Sequence, residues 1–204
     1  MSKPALLIID LFSRFDFPDG ERLAPLAVDA AQAVAGLRRL FDEQRWPIIY
    51  ANDNFGNWKC GFRELVDECR NTLGAPQRIA QLLAPGPDHY TILKPKHSAF
   101  LSTPLQILLE KVDACPLVLT GMAMDSCVLA TAIDANSREY ECMVVPEAAP
   151  FFRSGGKQPW TCSISLGWPR PFPRTSFRGR CFPEGSGSSV WLRLDGDKNG
   201  FRYA

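Results

Sequence analysis

The chain has 204 residues, enough for one α/β domain with a sizeable core and short for two. Apolar residues at 46% and charged residues at 22% exclude wholesale disorder, and a formal net charge of +1 argues against a nucleic-acid binder that works by neutralising phosphates. No apolar run reaches the roughly 20 residues that cross a bilayer, and the stretch before Asp10 is too short for a signal-peptide core. The sequence therefore predicts a cytoplasmic protein with no membrane contact. Seven scattered cysteines without a CxxC pair, and only two histidines, predict free thiols rather than a disulfide scaffold or a zinc site.

Short continuous apolar runs recur along the chain at Ala5–Asp10, Pro47–Asp53, Tyr90–Pro95, Pro116–Ala123 and Glu141–Ala148. Unbroken runs of this kind suit strands buried on both faces of a parallel sheet. Between them, apolar residues spaced by three and four predict helices over residues 25–45, Phe62–Thr72, Pro76–Leu83, Thr103–Val112 and Ser126–Glu139. Thr103-Pro104 supplies an N-cap followed by a first-turn proline. Strand–helix alternation with right-handed crossovers predicts an open, doubly wound α/β sheet. Ligands bind such sheets beyond the carboxyl ends of the strands.

Those ends carry chemistry. The first run closes on Asp10, the second on Asn52-Asp53-Asn54, the third on Lys94, and the fourth passes through Gly121 to Cys127. A carboxylate, an ammonium and a thiol at adjoining strand ends form a nucleophilic constellation. Cys127 falls in the first turn of the fifth predicted helix, where unpaired N–H groups and Lys94 favour a thiolate. It is thus expected to be the most readily alkylated of the seven cysteines. Asp10 is placed to take the thiol proton and return it to a leaving group. Backbone N–H groups of the 122–127 turn are placed to hold an oxyanion. A lone cysteine is more often a small core residue, and Cys60, Cys69, Cys115, Cys142, Cys162 and Cys181 are read that way.

Composition changes near residue 150. Of 20 alanines, 19 lie in residues 1–150, where 14 basic residues face 19 acidic ones for a net −5. Beyond that point 9 basic residues face 3 acidic ones, a net +6, and periodic apolar spacing stops.

Three segments resemble the signature segments of the isochorismatase-like cysteine hydrolases: Ala5-Leu-Leu-Ile-Ile-Asp10, Lys94-Pro-Lys-His-Ser-Ala-Phe100, and Thr120-Gly-Met-Ala-Met-Asp-Ser-Cys-Val128. Ala130-Thr-Ala and Asp134-Ala135 continue the third, and Tyr50–Trp58 resembles a further segment of a bacterial-type subgroup. The resemblance spans residues 4–149. It implies a three-layer α/β/α Rossmann-like sandwich with a mostly parallel, six-stranded sheet. It also implies an Asp-Lys-Cys triad of Asp10, Lys94 and Cys127, an oxyanion hole from the backbone amides of Ala123 and Cys127, and a cis peptide at Met122–Ala123.

Members of that family hydrolyse amides, ureido groups or a vinyl ether. A small-molecule substrate with a non-peptide C–N amide bond is the leading expectation for this chain. A catalytically silent module of the same fold is the alternative. The family's nicotinamidase branch holds a divalent metal through an Asp-x-His element and further histidines near the second strand. The corresponding Asn52-Asp53-Asn54-Phe55 has no histidine, so neither metal nor cofactor is expected. His89 is read as a surface-loop residue and His97 as packing within its motif. Asn54, Phe55 and Trp58 are expected as pocket walls, and the resemblance is compatible with a homo-oligomer.

The resemblance also implies a helix and a sixth strand after residue 149. Only Ser189–Leu194 offers a strand-like run there, and five prolines lie between Phe151 and Ser189. Residues 1–150 are therefore read as the hydrolase domain. Residues 151–204 are read as an atypical, poorly ordered segment, either an out-of-frame or mis-spliced reading or a divergent extension. The expected consequences are an exposed edge on the fifth strand, self-association and easy proteolysis beyond Val145.

Overall fold

The computed structural model describes residues 2–151, within which strands and helices alternate as the apolar runs require. The strands are β1 (Lys3–Ile9), β2 (Ile48–Asp53), β3 (Tyr90–Lys94), β4 (Ala114–Gly121) and β5 (Cys142–Val144). The α-helices are α1 (Gly20–Gln44), α2 (Phe62–Asn71), α3 (Ala75–Leu83), α4 (Leu105–Lys111) and α5 (Leu129–Ser137). The sheet order is β3-β2-β1-β4-β5, and every pairing is parallel.

The alternation of side chains along each strand divides the core in two. Leu6 and Ile8 of β1, Ile48 and Tyr50 of β2, and Val118 of β4 pack beneath α1, α2 and α3 with Leu23, Ala27, Val34, Leu65 and Ile79. Ala5, Leu7 and Ile9, Ile49 and Ala51, and Leu117 and Leu119 point the other way, onto Leu105 and Leu109 of α4 and Ala132 and Ala135 of α5. Helices thus cover both faces of the sheet. This is the doubly wound sheet that the continuous apolar runs predicted and the three-layer α/β/α sandwich that the resemblance implied.

Some boundaries differ from those read in the sequence. Helix α1 begins at Gly20 rather than Pro25, so that Pro25 lies inside the helix. The fifth predicted helix is split: a π-helical turn at Met124–Val128 precedes α5. Strand β5 is cut to three residues because a 3₁₀ turn begins at Pro146. The expected strand at Ser189–Leu194, Cys162, Cys181 and the reading of residues 152–204 as an atypical segment lie outside the described residues. No helix among the described residues is long and apolar enough to cross a membrane.

The strand order positions the site. From β1 the chain moves through β2 to β3 on one side, then crosses to β4 and β5 on the other. The topological switch point lies between β1 and β4, so their carboxyl ends flank the crevice where α/β sheets bind ligands. Gly121 closes β4 there at φ +110°, and a Cβ on it would fall 1.9 Å from the Ile9 carbonyl oxygen. Only glycine lets the chain approach β1 this closely, and Met122 N–H then donates to that same carbonyl at 2.9 Å.

Candidate active site

Asp10 follows β1 at φ +52°, a left-handed conformation that aspartate tolerates better than most residues. Its backbone N–H donates to the Ala51 carbonyl at 3.0 Å, which ties the end of β1 to β2. Beside it, Asn52 is 1% exposed. It accepts the Phe12 N–H at 3.0 Å and donates to the carbonyls of Phe12 and Asp53 at 2.9 and 3.1 Å. A buried amide with this many partners fixes both strand ends against each other.

The Asp10 carboxylate is held at both oxygens. Oδ1 accepts the Asp53 N–H at 2.6 Å, and Oδ2 lies 2.6 Å from Lys94 Nζ. Lys94 ends β3 with its side chain wholly buried, and Nζ also donates to the Lys96 carbonyl at 2.9 Å. The Cys127 thiol lies beside the same carboxylate, and each of the two groups shifts the other's titration. Asp10, Lys94 and Cys127, drawn from the ends of three strands, therefore meet.

Cys127 sits in the π-helical turn after β4. The Met122–Ala123 peptide leading into that turn is cis. The Ala123 carbonyl accepts the N–H groups of Ser126 and Val128 at 3.0 and 3.3 Å. Among the described residues the Ala123 N–H has no acceptor, which leaves it available to a ligand oxygen. The turn is anchored from behind, because Thr131 Oγ1 donates to the Cys127 carbonyl at 2.7 Å and accepts the Ala99 N–H at 3.0 Å. Ser98 bonds Asp134 of α5, and the loop carrying Lys94 to Phe100 is thus fastened to the helix that follows the thiol.

The electrostatics correct the expected thiolate. Burial foremost, and then the Asp10 carboxylate, push the Cys127 thiol up to about 12, while Lys94 and Ser126 pull the other way. Burial also raises the Asp10 carboxyl above the usual carboxylate range, against the opposing pull of Lys94, Cys127 and Asp53. For Lys94, burial disfavours the charge, but Asp10 and Cys127 outweigh it and raise its pKa. Desolvation and a facing negative charge outweigh the turn's N–H groups and Lys94. At neutral pH the thiol rests protonated and needs a base as it reacts. Iodoacetamide alkylation at Cys127 should therefore climb roughly tenfold per unit between about pH 7 and about pH 9, in step with the thiolate fraction. Peptide-resolved labelling rates check this, and a plateau near neutral pH would contradict it.

Both histidines depart from the sequence reading. His89 is no surface-loop residue: its side chain is 8% exposed, Nε2 lies 2.8 Å from Asp42 Oδ1, and Nδ1 accepts the Gly86 N–H at 2.9 Å. It lies against Tyr50 and closes the loop between α3 and β3 onto α1. His97 does not pack within its motif. It is exposed, and its Nδ1 lies 3.5 Å from Cys127 Sγ and 3.4 Å from Ser126 Oγ. The strand-end rule pointed to Lys94 and stopped there, three residues short.

Of the expected pocket walls, two line a cleft. Asn54 and Phe55, with Ser13, Arg14, Cys60 and Leu93, bound a space of about 130 Å³ beside the β2 and β3 ends. Asn54 Oδ1 accepts the Gly56 N–H at 3.0 Å, and Phe55 is 54% exposed at the rim. Trp58 is 77% exposed and does not line that cleft. The turns closed by Asn57 N–H on the Asn54 carbonyl and by Cys60 N–H on the Asn57 carbonyl leave its ring outside. Among the described residues no three His, Cys, Asp or Glu side chains gather as a metal-binding group. Asp53 Oδ1 is engaged by the Phe55 N–H at 2.7 Å.

A model of the isochorismatase domain matches residues 4–158. Among curated relatives, the uncharacterized isochorismatase family protein YaaI of Bacillus subtilis is 37% identical over 140 residues, covering 69% of this chain and 76% of its own. Maleamate amidohydrolase of Pseudomonas putida is 29% identical over 154 residues, covering 71% of each chain. Among solved structures, N-carbamoylsarcosine amidase from Thermoplasma acidophilum superposes with a TM-score of 0.58 at 23% identity, over 75% of this chain and 87% of that one. At that identity the likeness shows the shared fold.

Proposed function

The chain belongs to the isochorismatase family of hydrolases, and on that premise we propose that it is a cysteine amidohydrolase cleaving a non-peptide C–N amide bond in a small molecule. The observation that carries this reading is the Asp10 carboxylate shared between the buried Lys94 ammonium and the Cys127 thiol. The maleamate amidohydrolase relative supports an amide rather than a vinyl ether.

Cys127 Sγ attacks the amide carbonyl carbon while Asp10 accepts the thiol proton. A thiol held near 12 gives up that proton only as the S–C bond forms, which makes the acceptor essential. The carbonyl oxygen gains charge against the N–H groups of Ala123 and Cys127. Asp10 then passes the proton to the departing nitrogen, the C–N bond breaks, and a thioester remains for water to cleave. Lys94 keeps Asp10 oriented and offsets its charge throughout the cycle.

No step here runs through a metal. Asp53, Asn52 and Asn54 at the β2 end are committed to backbone partners and include no histidine.

A panel of small primary amides, ureido acids and isochorismate, followed by ammonia and product detection, tests the reading. At least one amide should release ammonia with the wild-type chain and none with Cys127→Ala. Turnover of isochorismate alone, or an active Cys127→Ala variant, would contradict it.

A further inference from the structure

Building on that reading, we propose that His97 is a second catalytic base, serving the thiol from its solvent side and activating the water that clears the thioester. The thiol sits between two proton acceptors of opposite character. Asp10 is 6% exposed, with one oxygen bonded by Asp53 N–H and the other by Lys94. His97 is exposed, with Nδ1 at 3.5 Å from Sγ.

In the resting protein His97 Nδ1 can accept from the Cys127 thiol or the Ser126 hydroxyl. Acylation removes the thiol proton, so one of those donors disappears and Nδ1 gains room for a water. Water entering from solvent meets this nitrogen before it can reach the buried carboxylate. The step balances. The water oxygen bonds to the acyl carbon as its proton passes to Nδ1, and the C–S bond then breaks with its electrons returning to sulfur. The imidazolium gives its proton to the thiolate 3.5 Å away, which restores both groups.

The backbone on either side of His97 is anchored. Lys94 Nζ grips the Lys96 carbonyl, one residue before His97, and Ser98, one residue after, is bonded to Asp134. Among the described residues the charged groups beside the thiol are Asp10 and Lys94, both buried, and His97 is the titratable side chain that meets Sγ from the solvent side.

The probe is p-nitrophenyl acetate, an activated ester whose leaving group needs no protonation, so that the nitrophenolate burst reports acylation and the steady state reports deacylation. Wild type and His97→Gln should both give a burst of about one nitrophenolate per chain. The steady-state rate of His97→Gln should fall by roughly 10²-fold, the lower end for a lost general base. Its pH profile should also lack one titration step that the wild type shows. A steady-state rate within about twofold of wild type, with an unchanged pH profile, would overturn the His97 proposal and leave Cys127 standing. A burst missing from His97→Gln would overturn the His97 proposal, and a burst kept by Cys127→Ala would overturn the nucleophile reading and the His97 proposal with it.

Discussion

Asp10→Asn lowers turnover of a confirmed amide substrate by roughly 10²-fold or more, the scale on which general acid–base groups act. The substitution keeps size and polarity. Its amide oxygen still accepts the Asp53 N–H, so the join between the β1 and β2 ends survives. What disappears is the buried-side proton acceptor beside a thiol that rests near 12. No other group takes over on the buried side, because the remaining neighbour there is the Lys94 ammonium, which cannot accept. The effect should fall on the first, acyl-forming half of the reaction. Steady-state kinetics on the purified variant checks this, and near-normal turnover would remove Asp10 from the proton path.

Lys94→Met should destabilise the fold by about 3–5 kcal/mol near neutral pH, the cost of leaving one member of a buried ion pair uncompensated. Lys94 is wholly buried and lies 2.6 Å from the Asp10 carboxylate, whose remaining partners are one backbone N–H and a thiol. The sign with pH follows from the carboxyl. Burial already raises its pKa with Lys94 present, and removing the ammonium raises it further. Lowering the pH then protonates Asp10 and relieves the penalty, so the gap to wild type should narrow toward acid. For the same reason the Asp10→Asn, Lys94→Met double variant should be more stable than Lys94→Met alone. Denaturant unfolding at neutral and mildly acidic pH measures both. A gap that stays constant with pH, or a double variant less stable than Lys94→Met, would show that the pair does not govern stability.

The sheet was legible because its strands are buried on both faces and read as unbroken apolar runs, as in Ala5–Ile9 and Leu117–Gly121. Asp10, Lys94 and Cys127 were legible because each follows such a run, where a parallel sheet presents its ligand-binding end. The state of the thiol was not. A helix start and a nearby lysine can be read from sequence, whereas the desolvation that outweighs them depends on packing from several elements. His97 and Cys127 are thirty residues apart, and their contact exists only because the loop after β3 is fastened to α5 through Ser98 and Ala99. The exposure of Trp58 and the burial of His89 likewise follow from loop turns and long-range partners that leave no periodic signal.

The most direct test of Cys127 as the nucleophile is to acid-quench the wild-type chain during turnover of an amide from the panel and map the adduct by peptide mass spectrometry. The expected result is the acyl group of the substrate on the peptide carrying Cys127, held as a thioester and lost on treatment with hydroxylamine. An acyl group on any other residue, or full turnover with the Cys127 peptide unmodified at every quench time, would contradict it.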